Sequence, residues 1–305
     1  MNNDELLDKY LDDCYRQKNL NLKTIRAYKT DLLQFTSETA QEGYTQISPT
    51  VLENYLKSLH NKYKPRTVKR KIASVKAFYR YMEYHEMILS NPWNRVQCKF
   101  REPFILPRTI PLNSIQDILK TIYDQITNGK TAYRRRNAIR DAAVCELLFA
   151  TGIRIFELCS IKPEELNLSE DTLFIHGKGA RERVIQIGNE QVHKTIELYM
   201  EEFKDEISEC GYLFVNQKGH RFSDQAVRRM INYYTKLASI EQHITPHMWR
   251  HTFATALLEA DVDIRYIQSM LGHSSIHTTE IYTHVSMAKQ RDILSKKHPR
   301  NSFLI

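Results

Sequence analysis

The chain has 305 residues, and its 42% hydrophobic and 26% charged content is that of a globular protein of one large or two ordinary domains. No apolar run reaches the roughly 18–20 residues a bilayer span needs. The acidic, polar start Met1-Asn-Asn-Asp-Glu is not a secretory signal, and five scattered cysteines without a C-x-x-C pair suit a reducing cytoplasm. The formal net charge of +8 suits a polyanion partner such as nucleic acid.

Residues 1–90 read as helical throughout. Leu6, Leu7, Tyr10, Leu11 and Tyr15 recur at helical spacing, and a second stripe runs from Leu22 through Ile25, Tyr28, Leu32 and Phe35. Ser48-Pro49 reads as an N-cap followed by proline in the first turn, ahead of the apolar face Val51, Leu52, Tyr55, Leu56 and Leu59. A fourth helix starts near Pro65 and carries Val68, Ile72, Val75, Phe78, Tyr79 and Met82. Each helix has one stripe to bury, so the segment predicts a small bundle.

From Lys62 to Arg80 every ionised residue is basic. Such a run is commonly a solvated helix face. Like charges at helical spacing nevertheless repel unless a counter-charge is supplied, and a phosphate backbone supplies one. Arg26, Lys29, Arg66, Lys69, Arg70 and Lys76 are the candidate DNA contacts here, joined later in the chain by Arg228 and Arg229.

Residues 91–112 contain Pro92, Pro103, Pro107 and Pro111 with four basic residues, and predict a basic, extended linker. Helical pattern resumes at Asn113 with Ile115, Ile118, Leu119 and Ile122. Arg134-Arg135-Arg136 reads as a polar loop, followed by an apolar helix from Asp141 to Ala150. Leu173–Ile175 and Val184–Ile187 flank a glycine-containing turn, the one convincing β signal, which predicts a hairpin. Further helices are expected at 191–203, 223–238, 247–260 and 264–271. The fold class is therefore mainly α, with a small antiparallel sheet in a second domain spanning 113–305.

The chemistry concentrates between Thr245 and Tyr282. Pro246 suits the first turn of a helix, which places His247 near an N-terminus, where partial positive charge favours an anion. Arg250, three residues on, shares its face. Gly272 reads as a helix stop, His273 follows it, and Tyr282 lies nine residues further. A zinc site is disfavoured: Met248 stands where the H-E-x-x-H pattern needs glutamate, and no cysteine or carboxylate has ligand spacing nearby. Any one of these residues alone is commonly structural, and Tyr282 is one of 17 tyrosines.

Taken in order, the motifs resemble those of the tyrosine recombinases, similar to the Xer-type and phage-integrase enzymes. Thr151-Gly-Ile-Arg-Ile-Phe-Glu-Leu158 resembles the first arginine box, with Arg154. Gly177-Lys178-Gly179, followed by Arg181-Glu182-Arg183-Val184, resembles the lysine-bearing turn. Thr245–Thr255 resembles the H-x-x-R-H box, with His247 and Arg250, and Leu271–Val285 the final box, with His273 and Tyr282. Phe156 and Trp249 occupy positions that the family fills variably.

The resemblance implies a helical core-binding domain followed by a catalytic domain. It implies DNA cleavage and rejoining through a 3′-phosphotyrosine on Tyr282. Arg154, Arg250 and His273 would hold the phosphate, Lys178 would protonate the leaving oxygen and His247 would handle the tyrosine proton. Glu157 would orient His247 or an arginine. No cofactor or metal is implied. The partners implied are a double-stranded recombination site and further copies of the chain, up to a tetramer docked through residues about 287–305, with or without a second recombinase or accessory protein. A non-catalytic DNA-binding protein and a type IB topoisomerase stand as alternatives.

Overall fold

The computed structural model describes residues 2–39, 43–98, 108–177, 181–272 and 287–303. The chain divides into two compact units, Met1–Ile105 and Leu106–Ile305.

The first unit is a bundle of α1 (Asn3–Arg16), α2 (Leu22–Glu38), α3 (Pro49–Lys62) and α4 (Pro65–Tyr84). Its helix starts are chemically marked. Asn2 accepts from the Glu5 amide at 2.7 Å while Glu5 accepts from the Asn2 amide at 3.2 Å, a reciprocal capping box. Ser48 caps α3 ahead of Pro49, as the sequence predicts. Tyr10, Leu32, Phe35, Leu52, Leu59, Val75, Phe78, Tyr79 and Met82 are fully buried between the helices.

The segment after α4 is not the linker expected from residue 91. Pro92–Arg95 forms a 3-10 turn, and Trp93 and Val96 are buried in the bundle's own core. Burial of a large indole outweighs the extended tendency of the proline-rich stretch. The remainder of the expected linker, from 99 to 107, lies outside the described residues.

The second unit is built on α5 (Leu112–Asn128) and α6 (Ala132–Thr151). Every residue of α6 from Ala138 to Thr151 is buried, as befits a helix that is apolar nearly all round. Arg134, Arg135 and Arg136 belong to this helix and not to a loop. Arg136 is held by Glu206 at 2.6 Å and lies over the Phe203 ring at 4.1 Å, distant partners that a local pattern does not reveal.

A short helix α7 (Ile155–Leu158) leads to a three-stranded antiparallel sheet, β1 (Leu166–Asn167), β2 (Thr172–Gly177) and β3 (Arg181–Gln186), in spatial order β1-β2-β3. The expected hairpin is present, with Phe174 opposite Val184 and Gly177 opposite Arg181. The two-residue edge strand β1 is an addition, too short to have a readable period. Then follow α8 (Glu190–Glu202), α9 (Lys204–Cys210), α10 (Asp224–Leu237), α11 (Pro246–Glu259), α12 (Ile264–Leu271) and a C-terminal helix, Met287–Lys297. Helix α9 was not expected from the sequence. Among the described residues no helix is long and apolar enough to cross a membrane.

The end of the chain closes onto this same unit. Phe303 stacks on Phe149 at 5.6 Å and is buried. Arg300 meets Glu146 of α6 at 2.8 Å, with both side chains inaccessible. Nε2 of His298 donates to the Phe149 carbonyl at 2.7 Å, and its Nδ1 accepts from the Arg300 amide at 3.0 Å. That pairing fixes the neutral tautomer, and burial pushes the ring's pKa down to about 4. Phe303 is thus part of the unit's own core.

Candidate active site

Helix α6 stops at Gly152, whose φ of 59° lies in the left-handed region. A side chain there would also strike Phe253, with Cβ only 2.4 Å from its ring. Backbone conformation and close approach both demand glycine, and the chain leaves α6 aimed at Arg154, the N-cap of α7.

Arg154 is gripped by Glu157. The Arg154 amide donates to Oε2 at 2.9 Å, and its Nη1 donates to Oε1 at 2.8 Å. The carboxylate is almost wholly buried, and Arg183 of β3 forks onto it, Nη1 to Oε1 at 3.1 Å and Nη2 to Oε2 at 2.7 Å. Burial alone would raise the Glu157 pKa. The hydrogen bonds and charge of Arg183, with those of Arg154, outweigh it and hold the carboxyl below the ordinary glutamate range. Glu157 therefore orients arginines and does not bond His247 among the contacts described.

Arg250 comes from α11 and is 5% exposed. Its Nη1 donates to the Gly152 carbonyl at 2.8 Å and its Nη2 to the Leu271 carbonyl at 2.6 Å. These bonds use two of five guanidinium N–H groups. Burial, then repulsion by Arg154, pushes its pKa down to about 9, so it stays a cation at neutral pH. Trp249, beside it, is completely buried and edge-on to Phe149. Its bulk anchors α11 while Arg250 faces the site.

The three arginines converge on one place, the C-terminal end of α12. Arg183 Nε donates to the Met270 carbonyl at 2.8 Å, Arg250 to Leu271, and Arg154 Nη2 to Gly272 at a long 3.5 Å. A helix C-terminus leaves carbonyls without intrahelical partners, and guanidinium groups satisfy them here. Gly272 closes α12 with a φ of 62°, and the Arg183 side chain packs against it.

His247 sits in the first turn of α11 and keeps contact with solvent. Partial burial, followed by the nearby cations of Arg228, Arg250 and Arg154, lowers its pKa below the ordinary histidine value of 6.5. Arg228 of α10, expected only as a DNA contact, is the foremost of these cations. Arg229 points to solvent. Lys178, His273 and Tyr282 lie outside the described residues. Among the described residues no cluster of His, Cys, Asp and Glu is arranged to hold a metal ion.

In the first unit, Arg26, Lys29, Arg66 and Lys69 are exposed. Arg70 is half-exposed but pairs with the fully buried Asp31, which also holds Lys71 at 3.1 Å. Lys76 lies over the Trp93 ring at 5.2 Å. These two are therefore engaged internally as well. Arg183 was not expected as a site residue; its one signal was a charged side chain directly before the apolar pair Val184-Ile185 of the hairpin.

The family model described as "Phage integrase family" matches residues 111–289, and "Phage integrase, N-terminal SAM-like domain" matches residues 7–85. The chain belongs to the phage integrase family. A tyrosine recombinase of Agathobacter rectalis is 55% identical to this family member over 97% of each chain. Tyrosine recombinase XerC of Bacillus pumilus is 31% identical over 98% of each. The fold matches that of XerH site-specific recombinase solved with its difH substrate, with a TM-score of 0.72 at 21% identity over 95% of this chain and 83% of that one. As a phage integrase family member the protein is an enzyme of site-specific DNA recombination. The alternatives of a non-catalytic binder and a topoisomerase have no support among these relatives.

Proposed function

We propose that the chain cleaves one DNA strand by attack of Tyr282 on a phosphodiester, forms a 3′-phosphotyrosine, and reseals it with the 5′-hydroxyl of a second duplex. The observation that carries this reading is the pair Arg154 and Arg250, fixed at the end of α12, immediately before the segment containing His273 and Tyr282. Attack places extra negative charge on the non-bridging oxygens. Two guanidinium groups already locked by a carboxylate and by backbone carbonyls stabilise that charge without reorganising.

His273 adds a third donor to the phosphate in this scheme, and Lys178 protonates the departing 5′-oxygen. His247, held neutral by burial and the surrounding cations, is in the form that accepts the tyrosine proton. Phosphoester energy is kept in the covalent bond, so the step reverses onto a new strand without nucleotide or metal.

The partner is double-stranded DNA, with Arg26, Lys29, Arg66, Lys69, Arg70, Lys76, Arg228 and Arg229 as the candidate contacts. Synapsis requires further copies of the chain, up to a tetramer, with residues about 287–305 as the docking segment; Met287–Lys297 is helical, Pro299–Ser302 forms a 3-10 turn and Phe303 packs on its own unit. The setting is the cytoplasm. A suicide substrate nicked beside the cleavage position tests the scheme. Wild type traps a covalent adduct and Tyr282→Phe traps none; an adduct persisting in that variant rejects the assignment.

A further inference from the structure

We propose that Arg183 is a positioning residue that keeps Arg154 available to the scissile phosphate by occupying Glu157. This rests on the recombinase reading above and deepens it.

All three nitrogens of the Arg183 guanidinium are committed inside the protein. Nε bonds the Met270 carbonyl at 2.8 Å, while Nη1 and Nη2 take both oxygens of Glu157 at 3.1 and 2.7 Å. The side chain is 11% exposed, and its Nη1 lies 3.1 Å from the position a Cβ would take at Gly272. A side chain so engaged is not a phosphate ligand. Its role must be read from what it holds.

It holds the same carboxylate that contacts Arg154, and both arginines share Oε1. The planar fork of Arg183 fixes the plane of that carboxylate. Arg154 then makes a one-point bond from Nη1 and keeps its remaining donors. Charge tells the same story. Two arginines on one glutamate leave the cluster with a net positive charge, whereas Arg154 alone on Glu157 is neutralised. Without Arg183, the buried carboxylate turns toward Arg154, takes a second donor from it and withdraws its charge from the phosphate.

This account separates itself from a merely structural one by charge compensation. If Arg183 only braced the fold, removing Glu157 as well would make matters worse. If it acts by occupying Glu157, removing that carboxylate returns a full positive charge to Arg154.

The experiment measures single-turnover adduct formation on the nicked suicide substrate with full-length protein, alongside single-site DNA binding. Arg183→Gln is expected to slow adduct formation by about 10²-fold with binding unchanged. Arg183→Lys, which keeps the charge and loses the fork, falls between that variant and wild type and shows that the site tolerates substitution. The double variant Arg183→Gln/Glu157→Gln is expected to recover about tenfold of the lost rate. A double variant no faster than Arg183→Gln, or an Arg183→Gln variant at the wild-type rate, overturns the inference while leaving the recombinase reading intact. A wild type that traps no adduct overturns both.

Discussion

Arg250 donates a hydrogen bond to the carbonyl oxygen of Gly152 at 2.8 Å, across 98 residues of chain. The same guanidinium spans to Leu271, so it joins the end of α6 to the end of α12. A lysine has one nitrogen and cannot bridge both carbonyls with the same geometry. Arg250→Lys is therefore expected to lose about 10²–10³ in the rate of covalent adduct formation while retaining DNA binding. Single-turnover cleavage and gel-shift titration measured together check this.

Gly152→Ala should be costly although it adds one methyl group. The position has a φ of 59°, and the methyl would fall 2.4 Å from the Phe253 ring. Left-handed strain and overpacking together give an expected loss of about 2–4 kcal/mol, read from the denaturant midpoint. Gly211→Ala is the control. It has a comparable φ of 69° with nothing near the added carbon, and should lose only the backbone part.

The catalytic rate should fall on acidification at a pH below 6.5. His247 is depressed from that value by burial and by Arg228, Arg250 and Arg154. In the proposed role of proton acceptor it works when neutral, so activity is expected above its pKa and is lost as pH falls through it. Arg228→Ala removes the foremost of the neighbouring cations and should move the acidic limb toward higher pH. A pH profile of adduct formation that stays put in Arg228→Ala would contradict the placement of His247.

His298 makes a separate prediction about stability. Its folded pKa, about 4, lies below the ordinary 6.5, so between those values the unfolded chain binds the proton and the folded chain does not. Stability is complete above pH 6.5 and declines as pH falls toward 4, by about 3 kcal/mol at most for this one group. Urea melts between pH 7 and 4 should show a shallower decline for His298→Gln than for wild type.

Much of the fold was legible because its signals are local. The Ser48-Pro49 cap, the β2–β3 hairpin and the helical stripes each depend on residues a turn apart. The candidate site was legible as motifs, and Arg154 and Arg250 do converge. What could not be read was which charges meet across the chain. Arg136 looked like loop because its partners Glu202 and Glu206 come some 66–70 residues later. The sequence leaves Glu157 to orient His247 or an arginine, and folding puts both Arg154 and Arg183, the latter 26 residues on, against its carboxylate. Trp93 escaped notice for a similar reason: it falls in the stretch that reads as an extended linker, and a core built from helices earlier in the chain covers it.

The buried pair of Arg300 and Glu146 should behave asymmetrically. Arg300→Ala leaves a carboxylate at 0% exposure without its counter-charge and is expected to cost about 3–5 kcal/mol. The double variant Arg300→Met/Glu146→Leu should cost clearly less than that single change, because no charge is left stranded. Thermal or urea unfolding of the three proteins decides it.

That same pair ties the soundness of α6 to a residue 154 positions later in the chain. Glu146 leaves the ribosome well before Arg300, so during synthesis the carboxylate waits 154 residues for its counter-charge. A chain cut short before residue 300 carries an uncompensated charge buried in α6. A recombinase is safest when truncated copies of it cannot settle into a lasting structure, and here one arginine and one glutamate make the presence of residue 300 a condition of stability.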